Sequence, residues 1–88
     1  MKRLPVVSNS IRSIGYDKAS EQLELEFHTG RVYRYGTEAK PFPHRLYRKF
    51  LNAQSFGSFF HAEIRPMWKG IELDPRAASR AEDEEPGT

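Results

Sequence analysis

The sequence predicts an α+β domain, a three-stranded antiparallel β-meander with two α-helices packed on one face and a disordered acidic C-terminal tail. Three observations predict it. The run QLELEF at residues 22–27 alternates polar and apolar residues strictly, the mark of a half-buried strand. Thr29 and Gly30 then interrupt the chain before a second β-rich run, RVYRY. Beyond Pro43, apolar residues recur twice at helical spacing. With 88 residues and no cysteine, the chain has room for one small core, held by packing rather than by disulfides or thiolate metal sites.

The first strand is expected in SIRSIGYD, residues 10–17, which is rich in β-branched and aromatic residues and followed by the turn-like KASEQ. In the second strand Leu23, Leu25 and Phe27 share one face and Glu24 and Glu26 the other, so both glutamates are expected to be exposed. The register of the third strand depends on the loop. A two-residue Thr29-Gly30 turn would place Tyr33 and Tyr35 on the polar face. A three-residue loop, with Gly30 left-handed, pairs Phe27 with Arg31, Leu25 with Tyr33 and Leu23 with Tyr35. The second is favoured, because β-branched Thr29 is ill suited to the positive φ of a type I′ turn. Both tyrosines then read as core residues with hydroxyls reaching the rim, and Arg34 points outward.

Pro41 and Pro43 delay the first helix to about Pro43, a residue well tolerated in a first turn. Leu46, Tyr47, Phe50 and Leu51 form its apolar stripe, with His44, Arg45, Arg48 and Lys49 elsewhere on its surface. A second helix is expected from Ser55 as N-cap, burying Phe56, Phe59, Phe60 and Ile64. Pro66 ends it, and Trp68 returns as a lid on one edge of the core.

Charge divides the chain. Residues 1–70 hold 12 Lys+Arg against 6 Asp+Glu, and residues 71–88 hold 2 against 6, so a domain at 7–70 is basic and a tail at 71–88 is acidic. Residues 74–88, with the run EDEE at 82–85, offer too few apolar groups to offset ordering entropy and are expected to be disordered. The tail is either a solubilising end or a segment that folds back on the basic domain and competes with an anionic ligand. No apolar run suits a signal peptide or a membrane span, so a cytoplasmic protein without membrane partners is expected.

Several motifs stand in register: SNSIRSIGYD, LELEF, a glycine turn, VYRY, and LNAQSFGSFFHAEIR with its paired aromatics. In order and spacing they resemble the KTSC domain, a short domain found alone in bacterial and phage proteins and at the C-terminus of some lysyl-tRNA synthetases. The resemblance covers residues 7–68, and its central Tyr-x-Tyr motif corresponds to Tyr33, Arg34 and Tyr35. It implies no catalytic activity and suggests RNA binding. The chain departs from the pattern at His61, where a polar amide is common, and at Pro43, which opens a more basic first helix.

Polyanion binding needs cations for phosphates and, for single strands, flat faces for bases. Candidate cations are Arg12 on the first strand, Arg31 and Arg34 on the third, and Arg45, Arg48 and Lys49 on the first helix, with Tyr33 and Tyr35 as the motif. Three histidines, His28, His44 and His61, lack the helical i, i+4 pairing of a metal site and read as surface residues. The serines form no nucleophile elbow, and the glycines form no phosphate-cradling loop. The expectation is therefore a non-enzymatic binding domain without metal or cofactor, recognising RNA or another polyanion. The alternative is a protein-interaction module docking a protein partner through Trp68 and a sheet edge.

Overall fold

The computed structural model describes residues 2–73. In these residues the architecture is α+β, as expected, but the antiparallel sheet has five strands rather than three. The elements are β1 (Arg3–Pro5), β2 (Ile11–Asp17), β3 (Gln22–Phe27), β4 (Val32–Tyr35), α1 (His44–Leu51), α2 (Phe56–Phe59) and β5 (Ile71–Leu73), in the sheet order β1-β2-β3-β4-β5. Both additions are three-residue edge strands, too short to carry a periodic signal of their own. Arg3–Pro5 pairs with β2 and Ile71–Leu73 with β4, so both flank the expected meander in the same sheet. The expected disordered stretch, 74–88, lies outside the described residues.

The β3–β4 hairpin takes the three-residue loop. Leu23 faces Tyr35 and Leu25 faces Tyr33, while the Phe27 N–H donates to the Arg31 carbonyl at 2.9 Å. Gly30 supplies the positive φ, +94°, that the last loop position requires. In β2 the pairing slips between Ile11 and Ser13, so Arg12 is an extra residue. That bulge reverses the alternation, and Ile11 therefore joins Ile14 on the buried face although the two lie three apart.

Both helical segments pack on that face. Ile11, Ile14, Leu23, Leu25 and Tyr35 form one cluster with Phe42, with Phe50 of α1, and with Phe60 and Ile64. Pro43 takes the N-cap position of α1 with extended φ/ψ, and the Ser55 hydroxyl accepts from the Ser58 N–H at 3.2 Å to open α2. Helix α2 continues without a break into a π-helical turn, Phe60–Ile64, closed by the Arg65 N–H on the Phe60 carbonyl at 2.8 Å. The wider turn keeps Phe60 and Ile64 on one side, and both are buried.

The opposite face corrects a second expectation. Glu24 is not exposed but 1% accessible. Across the sheet it lies in the row Arg3, Gly15, Glu24, Arg34. Gly15 has no side chain, so Arg3 crosses over it to bond the Glu24 carboxylate, while the Arg34 Nη2 reaches the other carboxylate oxygen at 3.1 Å. Two guanidinium groups thus cover and neutralise one buried carboxylate. Glu26 is partly covered too, accepting from the Ser13 hydroxyl at 2.8 Å.

Candidate functional site

A groove of about 880 Å³ opens where the β3–β4 loop, β4 and the segment after the π-helical turn meet. The β3–β4 register puts Tyr33 and Tyr35 on the helix side of the sheet, which is why the groove forms over them. Its floor is aromatic. Tyr33 and Phe27 meet edge to face at 5.7 Å, Phe27 meets Phe60 at 5.5 Å, and Phe60 meets Tyr35 at 5.5 Å. These T-shaped contacts lock the rings in place.

The two tyrosines of the motif do different work. Tyr35 is 4% exposed and packs in the core, and burial pushes its hydroxyl up to about 12, with nearby Tyr33 acting in the same direction and Arg65 in the opposite one. Gly70 lies flat against its ring, where a Cβ would come within 2.8 Å of the Tyr35 ring carbons. Tyr33 is only half-buried, which leaves aromatic surface open to the groove.

The rim is basic. Arg31, Arg65 and Lys69 are exposed and line the opening, together with His28 and Met67, and none of the described lining residues is acidic. The Arg31 Nη1 stands 3.4 Å from the Glu72 carboxylate of β5. The His28 ring nitrogen Nε2 pairs with the Ser8 carbonyl at 2.7 Å, which fixes that side of the opening. Trp68 also borders the groove but is engaged in structure: its ring packs on Phe42 at 4.8 Å, and its Nε1–H donates to the Lys40 carbonyl at 3.2 Å.

The cations singled out in the sequence separate into three places. Arg31 joins Tyr33 and Tyr35 at the groove. Arg12 and Arg34 serve the other face of the sheet, Arg12 at 3.9 Å from Glu26 and Arg34 on Glu24, so Arg34 is an ion-pair partner rather than a free outward cation. Arg45, Arg48 and Lys49 line a separate shallow depression of about 420 Å³ on α1 with His44 and Asn52; no Phe, Tyr or Trp lines it, although partly buried Tyr47 of the same helix lies 6.1 Å from His44. Arg65 and Lys69 were missed. The return of the chain after Pro66 was expected for Trp68, but the cations on either side of it were not followed to the motif, which Gly70 reaches by lying against the Tyr35 ring.

His28, His44 and His61 lie on separate elements, and among the described residues no group of three or more His, Cys, Asp or Glu is placed to hold a metal ion. No helix there is long and apolar enough to cross a membrane.

Comparison with known proteins bears on the family and the fold. The model of the KTSC domain family matches residues 7–68. An uncharacterized protein of Stutzerimonas stutzeri is 38% identical over 67 residues, covering 76% of this chain and 89% of its own. A protein of Tsukamurella paurometabola is 32% identical over 69 residues, covering 78% of this chain and 97% of its own. Among solved structures, a KTSC domain protein from Yersinia pestis superposes with a TM-score of 0.75 at 33% identity, covering 83% of this chain and 97% of that one.

Proposed function

The chain belongs to the KTSC domain family, and from that premise we propose that it is a small non-catalytic domain that binds single-stranded RNA in the groove over Tyr33 and Tyr35. One observation carries the reading: a half-buried tyrosine lies within a groove rimmed by three cations, with no acidic residue among the described lining. Bases need a flat ring and phosphates need cations within one nucleotide's reach of it, and this groove offers both together. The α1 cations, whose depression no Phe, Tyr or Trp lines, act as a secondary electrostatic surface.

The test is a titration of a short labelled single-stranded RNA at two salt concentrations against the wild type, Tyr33→Leu, Arg65→Ala with Lys69→Ala, and the Arg45, Arg48, Lys49 triple alanine variant. Loss of one stack, about 1–3 kcal/mol, lowers the affinity of Tyr33→Leu by roughly fivefold to a hundredfold or more. Removal of Arg65 and Lys69, two of the three rim cations, flattens the salt slope by about 1.4, at about 0.7 per phosphate. The α1 variant weakens binding at low salt but leaves the preference for single strands over duplex intact. Wild-type affinity in the Tyr33 and rim variants, or no binding by any protein at low salt, refutes the reading and favours docking of a protein partner.

A further inference from the structure

The groove has a candidate occupant in its own chain. β5 pairs antiparallel with β4 so that Ile71 faces Arg34, Glu72 faces Tyr33 and Leu73 faces Val32. The chain therefore leaves the sheet at Leu73 beside Val32, the residue after Arg31. Lys69 and Gly70 line the groove immediately ahead of β5, and Arg31 lines it at the strand's far end. A three-residue strand spans about 10 Å, so both cations lie within a few residues' reach of the exit point. One carboxylate from this edge is already engaged with the rim: Glu72 stands 3.4 Å from Arg31.

Beyond Leu73 the sequence continues DPRAASRAEDEEPGT, with four consecutive carboxylates at 82–85. Glu82 is nine residues past Leu73, and nine residues span at most about 30 Å, enough slack to return to a rim only a few residues away. We infer that the acidic run at 82–85 binds the basic rim formed by Arg31, Arg65 and Lys69, extending the contact that Glu72 begins, and competes with an anionic ligand for the groove. Charge complementarity selects this occupant: four carboxylates meet three cations in a groove whose described lining has no acid. The short tether selects the chain's own run over that of a second copy, since a tether of this length holds its end at millimolar effective concentration. The competition rests on the RNA reading, whereas the contact itself does not.

The experiment compares the full-length wild type with a full-length variant carrying Glu82→Gln, Asp83→Asn, Glu84→Gln and Glu85→Gln. Without RNA, backbone amide spectra of the two proteins are expected to differ at Arg31, Tyr33, Arg65 and Lys69, with the differences vanishing at high salt and unchanged on dilution. With labelled single-stranded RNA at low salt, the variant is expected to bind about twofold more tightly, as follows when a tethered competitor at millimolar effective concentration meets a site of comparable dissociation constant. Identical spectra at the groove, or differences confined to α1, overturn the inference whether or not RNA binds. Differences that fade on dilution also overturn it, since they mark contact between copies. Groove differences in a protein that binds no RNA in either form leave the contact standing and refute the RNA reading alone.

Discussion

Replacing Glu24 by glutamine is expected to be among the most destabilising conservative changes this domain can receive. The carboxylate is 1% accessible and holds two guanidinium groups, Arg3 with 9% and Arg34 with 36% of their side chains exposed. Breaking a buried ion pair from one side costs about 3–5 kcal/mol, because the charge left behind has neither water nor partner. Arg34 is exposed enough to rehydrate its head, which lowers the expected loss to about 2–4 kcal/mol. A domain of this size has only about 4–11 kcal/mol to lose, at roughly 0.05–0.15 kcal/mol per residue.

In urea, with a slope near 1 kcal/mol per molar for so small a domain, the Glu24→Gln midpoint should fall by about 2 M or more, followed by far-UV circular dichroism. Arg3→Met combined with Glu24→Leu and Arg34→Met should recover much of that loss, since an apolar replacement of the whole cluster leaves no charge unpaired. A Glu24→Gln midpoint within about 0.5 M of wild type would refute the reasoning. It would be the result for an ordinary surface glutamate, which typically contributes under about 0.5 kcal/mol.

Two further expectations follow from the backbone and the tyrosines. Gly36→Ala should destabilise more than Gly30→Ala in the same urea assay: both residues have positive φ, but a Cβ at Gly36 would lie 2.7 Å from the Glu21 carbonyl oxygen, and nothing lies within 4 Å at Gly30. Equal losses would show that strain alone decides. Burial holds the Tyr35 hydroxyl at about 12 against 10.0 when unfolded, so the unfolded chain ionises first and stability is lost as pH rises from about 10 towards 12. Tyr35→Phe should flatten that alkaline decline in thermal melts taken across the window, and an unchanged decline would assign it elsewhere, with Tyr16 and Tyr47, also raised by burial, the next groups to replace.

What the sequence made legible is what one element writes for itself. The alternation of Leu23, Leu25 and Phe27, the unsuitability of Thr29 for a positive φ and the helix start at Pro43 each depend on a few neighbouring residues, and the meander, its register and both helix starts came out accordingly. Strands of three residues carry no period, so Arg3–Pro5 and Ile71–Leu73 stayed invisible, and with them the fate of the polar face. Glu24 shows how that error propagates. Alternation assigns it correctly to the face away from the helices, but its exposure is decided by Arg3, a residue 21 positions earlier that reaches it only because Gly15 intervenes without a side chain.

The candidate site follows the same logic. Tyr33 and Tyr35 were legible because their register is local. Arg31 was among the cations sought, but so were Arg45, Arg48 and Lys49, which cluster in sequence and line a depression on α1 that no Phe, Tyr or Trp borders. The cations that flank the rings are Arg31, Arg65 and Lys69, the last two 30 and 34 positions past Tyr35 and brought back by the chain reversal at Pro66 and the close approach of Gly70 to Tyr35. A binding surface assembled this way is set by tertiary packing rather than by composition. The net basic charge of residues 1–70 therefore argued for an anionic ligand without indicating where it would sit.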